Sequence, residues 1–303
     1  MLGIENAKLK LVRWRRRRWL AKALRDPGAD IIELVYFARR TGMFGQLSAC
    51  LQAAEVAERL DKRPVMRLTS DNYRVSDDSP EWFGAFFVNK ADADLSAPRA
   101  RGFMRDGSDL PYHATYTNPA EAQALFDRHY AVRPEFVEEV DTLAAANSVG
   151  PRTLAIHYRG TDKYTEAPAQ AMRDVLDRIA RYIDTLDGVE NVFVASDVAP
   201  FVEATGQGIA GLPVFSLDDA VRSSTDTPVH TQSFHASNMA MGRDALLNCL
   251  MLARCGWMCR TTSLLSAWSA IFNPEIEVAI LNEPYAHSVW RPEKILLLSA
   301  RRI

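Results

Sequence analysis

The segment "TLAIHYRGTDKYTEAP", residues 153–168, runs from a short apolar stretch directly into His157, Tyr158, Arg159, Gly160, Thr161, Asp162 and Lys163. An imidazole, a guanidinium, a carboxylate and an ammonium at one strand end suit a charged ligand. The planar guanidinium fork matches pairs of phosphate oxygens, and the ammonium adds a compact point charge. Two other apolar stretches end in a similar way. "NVFVAS" closes on Ser196 and is followed by Asp197, and "GWMC" is followed by Arg260, Thr261, Thr262 and Ser263. Ser263 stands where it can cap a following helix, whose free N–H groups then point at an anion. An arginine, a helix N-terminus and hydroxyls around one point describe a diphosphate site. Each residue also has a plainer role open to it. Arg159 and Asp162 can pair on a surface turn, His157 can be a core histidine with one hydrogen bond, and Asp197 can be a helix cap.

These ends meet only if the strands lie side by side and parallel, because ligands of open α/β sheets bind beyond the carboxyl ends of the strands. Apolar runs predict strands at Thr153–Tyr158, Asn191–Ser196, Pro213–Ser216, Trp257–Thr261 and Glu277–Leu281. Between them, Met172, Val175, Leu176, Ile179, Ile183 and Leu186 form one helical stripe over 170–187. Leu246, Leu250 and Ala253 form another over 243–254. Strands alternating with helices predict a parallel sheet covered on both faces. The N-terminal half repeats the theme. It has a strand at Ile31–Ala38, glycines Gly42 and Gly45 opening a helix with Leu47, Leu51, Ala54 and Ala57, and a strand in "RPVMRLTSDNY". "WFGAFFV" reads as a strand or a buried loop. "NPAEAQALFDRHY" reads as a helix capped by Asn118 with Pro119 first, and "RPEFVEEVDTLAAANSVGP" as a helix leading to a boundary near 147–151. The fold class is α/β, with paired Rossmann-like domains of parallel sheets facing a cleft, over residues 1–150 and 151–303.

Composition bounds the reading. The chain has 303 residues, 48% apolar and 24% charged, which is ordinary for a globular protein with two domains. A net charge of −2 excludes a general polyanion binder, so anion binding must be local. Cys50, Cys249, Cys255 and Cys259 are too few for a disulfide framework and read as small buried thiols. With no bilayer-length apolar run and no signal-peptide core, the expected location is cytoplasmic. "LKLVRWRRRRWLAKAL", residues 9–24, places Leu9, Val12, Leu20, Ala23 and Leu24 largely on one side of a helix, with Arg15–Arg18 between Trp14 and Trp19. It reads either as a solvated helix packed on its own domain or as a peripheral contact with an anionic inner membrane face. One basic run does not make a nucleic-acid site, and no such partner is expected.

"IHYRGTDKYTEA" resembles the first signature of the α1,6-fucosyltransferase and nodulation NodZ group, His-x-Arg-Arg-Thr-Asp-Lys with a glutamate shortly after. "VFVASD" resembles the second signature, "GRDALLNCLMLARCGWMCRTTSLLSAWS" the third, and "RTGMFGQLSACLQAA" the N-terminal glycine motif, in order over residues 40–270. The resemblance implies a GT-B fold and inverting, metal-independent transfer from a GDP-fucose donor to an oligosaccharide or polysaccharide acceptor, with no cofactor and no metal. It implies that Arg159 holds the β-phosphate and His157 contacts the nucleotide, with Asp197 near it. Lys163 and Asp162 organise the diphosphate and sugar, with Thr161 and Thr262 in the same set, and Ser263 meets the phosphates. Glu166 is the candidate base for the acceptor hydroxyl. Gly42, Gly45 and Gln46 carry the glycine motif.

The chain departs from the group's pattern at four places. Gly160 replaces the second arginine, and Glu166 follows Lys163 by one residue fewer. Asn248 replaces an aspartate that accepts from guanine N–H groups, and an amide offers one acceptor oxygen and a donor. The glycine motif is one residue short before Gln46. Alternatives stand beside this reading. Asp92 and Asp94 in "FGAFFVNKADAD" have the Asp-x-Asp spacing with which metal-dependent transferases hold a divalent ion on a diphosphate. A GDP-sugar or glycan binding protein without turnover is a second alternative, and an interaction protein led by its basic arm a third. Trp82, Phe83 and Tyr112 are candidates either for stacking on acceptor sugars or for the core.

Overall fold

The computed structural model describes residues 18–37, 41–76, 78–104, 109–112, 114–160, 167–168, 170–217, 222–223, 238–286 and 291–303. They form two compact units, one of residues up to Tyr116 with Ala124–Arg133, the other of Thr117–Gln123 with Pro134–Ile303.

In the first unit, β1 (Ile31–Phe37) lies between β2 (Arg63–Thr69) and β4 (Arg99–Met104), all parallel. The helix α2 (Met43–Arg59) carries the chain from β1 to β2. β1 and β2 follow from their apolar runs. β4 does not, because "RARGFM" has arginine at alternate positions and no such run. A helix over residues 18–24, α1, buries Leu20, Ala23 and Leu24. It can approach β4 because residue 102 is glycine. A Cβ there would stand 3.0 Å from Leu20 and 3.1 Å from Leu34. The stripe expected in this helix is therefore real over 18–24, while Leu9, Val12, Trp14 and Arg15–Arg17 lie outside the described residues. "WFGAFFV" becomes a short helix α3 (Phe83–Phe86) running into β3 (Phe87–Asn89), which pairs antiparallel with β5 (Tyr130–Val132). The start of α4 (Pro119–His129) belongs to the second unit; there Asn118 caps the helix, its Oδ1 accepting from Glu121 N–H at 2.9 Å. The Glu121 carboxylate in turn accepts from the N–H of Thr117, the residue before the cap, at 2.7 Å.

In the second unit, α5 (Pro134–Ala146) packs on α8 (Asn238–Ala253), with Arg254 to Asp141 at 2.5 Å and Arg243 paired with Glu139. The sequence places α5 before the division; these charges and buried Val140 and Ala144 set it in the second unit. Six parallel strands form the sheet, in the order β11 (Arg301–Arg302), β10 (Glu277–Ile280), β9 (Trp257–Arg260), β6 (Thr153–Tyr158), β7 (Asn191–Ser196) and β8 (Val214–Phe215). Leu154, Ile156 and Tyr158 point to one face, into a core with Val175 and Ile179 of α6 (Met172–Ile183) and Phe201 of α7 (Ala199–Gly206). The period of two puts Ala155 and His157 on the other face. Two further helices follow, α9 (Leu264–Phe272) after β9 and α10 (Glu293–Ser299) before β11. Gly256 lets the turn into β9 pass the start of β6, since a Cβ there would lie 2.0 Å from the Pro151 carbonyl oxygen. All four thiols are buried, Cys50 in the first unit and the other three in the second. Burial pushes each of them well above the ordinary thiol range.

Candidate functional site

The order of the second sheet reverses at β6. β7 and β8 lie to one side of it, and β9, β10 and β11 to the other. That is the doubly wound arrangement whose ligand crevice opens at the carboxyl ends of the strands flanking the reversal, here β6 and β9. The polar residues at those ends are bonded to one another. Arg159 N–H donates to Thr261 Oγ1 at 2.8 Å, and Thr261 N–H donates back to the His157 carbonyl at 2.9 Å. One threonine thus joins the ends of β6 and β9. On the other side, Gly160 N–H donates to Asp197 Oδ1 at 3.3 Å, while Asp197 Oδ2 lies 3.7 Å from Arg159 Nε. Asp197 therefore joins the ends of β6 and β7 and orients the guanidinium. It does not cap α7, whose N-cap residue is Val198. Arg159 keeps 23% of its side chain exposed, so its charge faces solvent-accessible space while its backbone is fixed on both sides. His157 is buried at 5% exposure, opposite Arg260 on β9 and Ala195 on β7.

The structure gives a steric reason for glycine at position 160. A Cβ there would stand 2.9 Å from the Tyr158 ring and 2.9 Å from Val198 Cγ2. Tyr158, stacked on Phe201 at 4.2 Å, fills the room that a larger residue 160 needs.

The N-terminal turn of α9 forms the third wall. Ser263 occupies the N-cap position with extended backbone but makes no side-chain cap bond, which corrects the capping role expected for it. The turn is held from beneath instead. Arg260, fully buried, donates from Nε to Ser266 Oγ at 2.8 Å and from Nη2 to the Ser263 carbonyl at 2.6 Å. The same Nη2 meets the buried Glu293 carboxylate at 2.7 Å. Arg260 is thus a structural cation rather than a ligand group. Thr262 donates its N–H to Asn282 Oδ1 at 2.7 Å and its hydroxyl to the Asn282 carbonyl at 3.1 Å. Asn248, half-buried on α8, donates its amide to the Asp244 carbonyl one turn earlier at 2.8 Å. Asn282 and Glu293 escaped the sequence reading. Asn282 had a signal, since it stands just past β10, where the other strand-end polar residues stand. Thr161, Asp162, Lys163 and Glu166 lie outside the described residues.

In the first unit the structure brings some candidates into other work. Gly42 is the N-cap residue of α2 at an ordinary φ of −62°, and Gly45 is in its first turn. Gln46 is fully buried; its Nε2 donates to the Thr41 carbonyl at 2.8 Å and its Oε1 accepts from Trp82 Nε1 at 2.9 Å. This makes Gln46 a core strut whose amide is bonded at both ends. Trp82 and Phe83 are fully buried, which removes them as acceptor-stacking residues, while Tyr112 lies under the Arg59 guanidinium. Asp92 meets Arg67 at 2.9 Å and Arg99 at 2.6 Å, and Asp94 meets Arg63 at 2.8 Å. Their carboxylates are thus neutralised by Arg63 and Arg99, which open β2 and β4, and by Arg67 further along β2. No cluster of metal-ligating side chains occurs among the described residues. No helix there is long and apolar enough to cross a membrane.

No family model matches the chain, and no curated protein matches it in sequence. Solved structures do match in fold. The fucosyltransferase NodZ from Bradyrhizobium is 18% identical, with a TM-score of 0.54, covering 80% of this chain and 93% of that one. NodZ α-1,6-fucosyltransferase soaked with GDP-fucose is 19% identical, with a TM-score of 0.53 and 80% and 92% covered. The same enzyme co-crystallised with GDP gives 16% and 0.51 over the same shares. The α/β class with parallel sheets is thus confirmed, and the chain has the GT-B fold of the NodZ fucosyltransferases.

Proposed function

We propose that the protein transfers fucose, or a related sugar, from a GDP-sugar to a glycan hydroxyl, with inversion and without a metal ion. The observation that carries this is the placing of Arg159. It projects at the topological reversal of the second sheet, its backbone tied to β9 by Thr261 and its side chain oriented by Asp197. Cleavage of the sugar–phosphate bond leaves negative charge on the diphosphate. A fixed guanidinium stabilises that charge as it develops, and its loss costs about 3 kcal/mol by analogy with oxyanion-hole donors. The free N–H groups at the start of α9, with Ser263, meet the phosphates. His157 and Asn248 lie toward the nucleoside, and Lys163 and Asp162 organise the diphosphate and sugar. Glu166 takes the proton of the acceptor hydroxyl, a step worth about 10²–10⁴-fold. The likeness in fold to a protein solved with GDP-fucose supports the choice of donor.

Thermal shift with GDP, GDP-fucose, GDP-mannose and UDP tests the reading, on wild type and on Arg159→Ala. GDP and GDP-fucose raise the melting temperature of wild type most, with or without chelator, and the shift collapses in Arg159→Ala. A best response to UDP removes the donor assignment, and unchanged GDP binding in Arg159→Ala removes the site. Gly160, which takes one positive charge from the group's pattern, keeps open a second reading of binding without turnover. GDP binding with no GDP released from GDP-fucose selects it.

A further inference from the structure

We infer that the outer side of α1, with the part of β4 beside it, is a docking face for an anionic bilayer surface. Over its described residues α1 has two sides. Leu20, Ala23 and Leu24 turn inward and are at most 6% exposed. Arg18, Trp19, Lys22 and Arg25 are exposed, at the intervals of three and four residues that share one side of a helix. Trp19 itself is 55% exposed. Packing on the domain accounts for the inner set. It does not account for an indole whose apolar area is left in water.

The indole is held in place. Its ring meets Phe103 of β4 with centroids 5.8 Å apart and a tilt of 52°, and the Arg101 guanidinium lies 5.7 Å from the centre of the same Phe103 ring. Arg101 keeps 61% of its side chain exposed, while its Nε reaches Glu33 at 2.9 Å. Gly102, between the two, lets α1 sit directly on the strand, so that ring and cations are carried by fixed backbone. Asp26, at the end of the helix, turns back to accept the Gly28 N–H at 3.0 Å. An indole set among lysine and arginine suits the boundary of a bilayer. The ring enters the boundary while the ammonium and guanidinium groups stay level with the lipid phosphates.

The distribution of charge along the chain selects this occupant. Residues 1–25 hold nine lysines and arginines and one acidic residue, whereas the other 278 hold 27 basic and 37 acidic residues. A two-fold contact between copies would set the same cations against each other. An anionic lipid surface instead gains about fivefold in partitioning for each basic residue brought near it. This docking is independent of the proposed reaction.

Co-sedimentation of the full chain with vesicles tests it, on wild type, Trp19→Ala and the double variant Lys22→Gln with Arg25→Gln. The vesicles are phosphatidylcholine alone or phosphatidylcholine with about 30% phosphatidylglycerol. Wild type partitions onto the anionic vesicles and not onto the neutral ones, and raising the salt from about 0.1 M to about 0.5 M releases it. The double variant partitions about 20-fold less, and Trp19→Ala at least about fivefold less. Equal partitioning onto neutral vesicles removes the role of charge and overturns the inference. Wild-type partitioning in both variants overturns it too, because this face is then idle. A wild type that ignores both kinds of vesicle but binds an acidic polysaccharide, or forms dimers in light scattering, overturns it in favour of that occupant. Should Trp19→Ala fail to fold, the double variant, changed only at exposed positions, decides alone.

Discussion

At the scale of single residues, position 160 shows how packing at a strand end selects glycine. Gly160 is not required by backbone strain; the Tyr158 ring and Val198 occupy the space that a Cβ would take. Gly160→Ala should therefore overpack the strand end and destabilise by about 1–3 kcal/mol. In a Tyr158→Val background the same change should cost much less, and a double-mutant cycle in urea reads the difference as coupling. Equal costs in the two backgrounds would show that the ring is not what excludes a side chain. What the sequence revealed at this scale was the position of polar residues just past apolar runs. It could not tell ligand groups from struts, because Arg260 and Arg159 end neighbouring strands and look alike in one dimension. Burial separates them, with Arg260 fully enclosed beside Glu293 and Arg159 partly open.

At the scale of elements, two contacts carry more than packing. The Arg260–Glu293 pair fastens the start of α10 under the start of α9. Arg260→Met alone strands a buried carboxylate and should cost about 3–5 kcal/mol, and adding Glu293→Leu should recover much of that loss. Melting temperatures of the two variants check it. In the first unit, Arg128 grips Glu58 with Nε at 2.7 Å and Nη2 at 3.1 Å, while His129 Nε2 lies 2.7 Å from the same carboxylate. The bond from Arg128, more than any other influence, holds the Glu58 carboxyl below its ordinary value. The unfolded chain then binds a proton more readily than the folded one. The stabilisation from this tie between α2 and α4 is complete above about pH 4.3 and is lost as pH falls through the lower folded value. Glu58→Gln should flatten that part of the acid limb in urea titrations between about pH 3 and 5, by under about 1 kcal/mol because the pair is largely exposed. Strands whose burial is continuous, such as β6 and β7, are legible end to end, since their apolar runs coincide with their hydrogen-bonded spans. β4 and β11 are not legible, because edge strands rich in arginine carry no apolar period.

At the scale of the whole molecule, the alternation of strand and helix sufficed for the α/β class, because each crossover returns the chain parallel to its predecessor. The division of the chain was less legible. Where α5 belongs depends on ion pairs with α8, residues more than a hundred positions away, which leave no local trace. The Asp92 and Asp94 spacing was legible as a motif and misleading as a function, since Arg63, Arg67 and Arg99 answer it across neighbouring strands. The enclosed thiols have a use beyond packing. Because Cys50 belongs to one unit and Cys249, Cys255 and Cys259 to the other, a maleimide can reach each set only when its own surroundings open. Labelling followed by peptide mass mapping would then clock the two halves of the molecule independently. A saturating nucleotide that settles on the second half should slow modification at 249, 255 and 259 while leaving the Cys50 rate as it was.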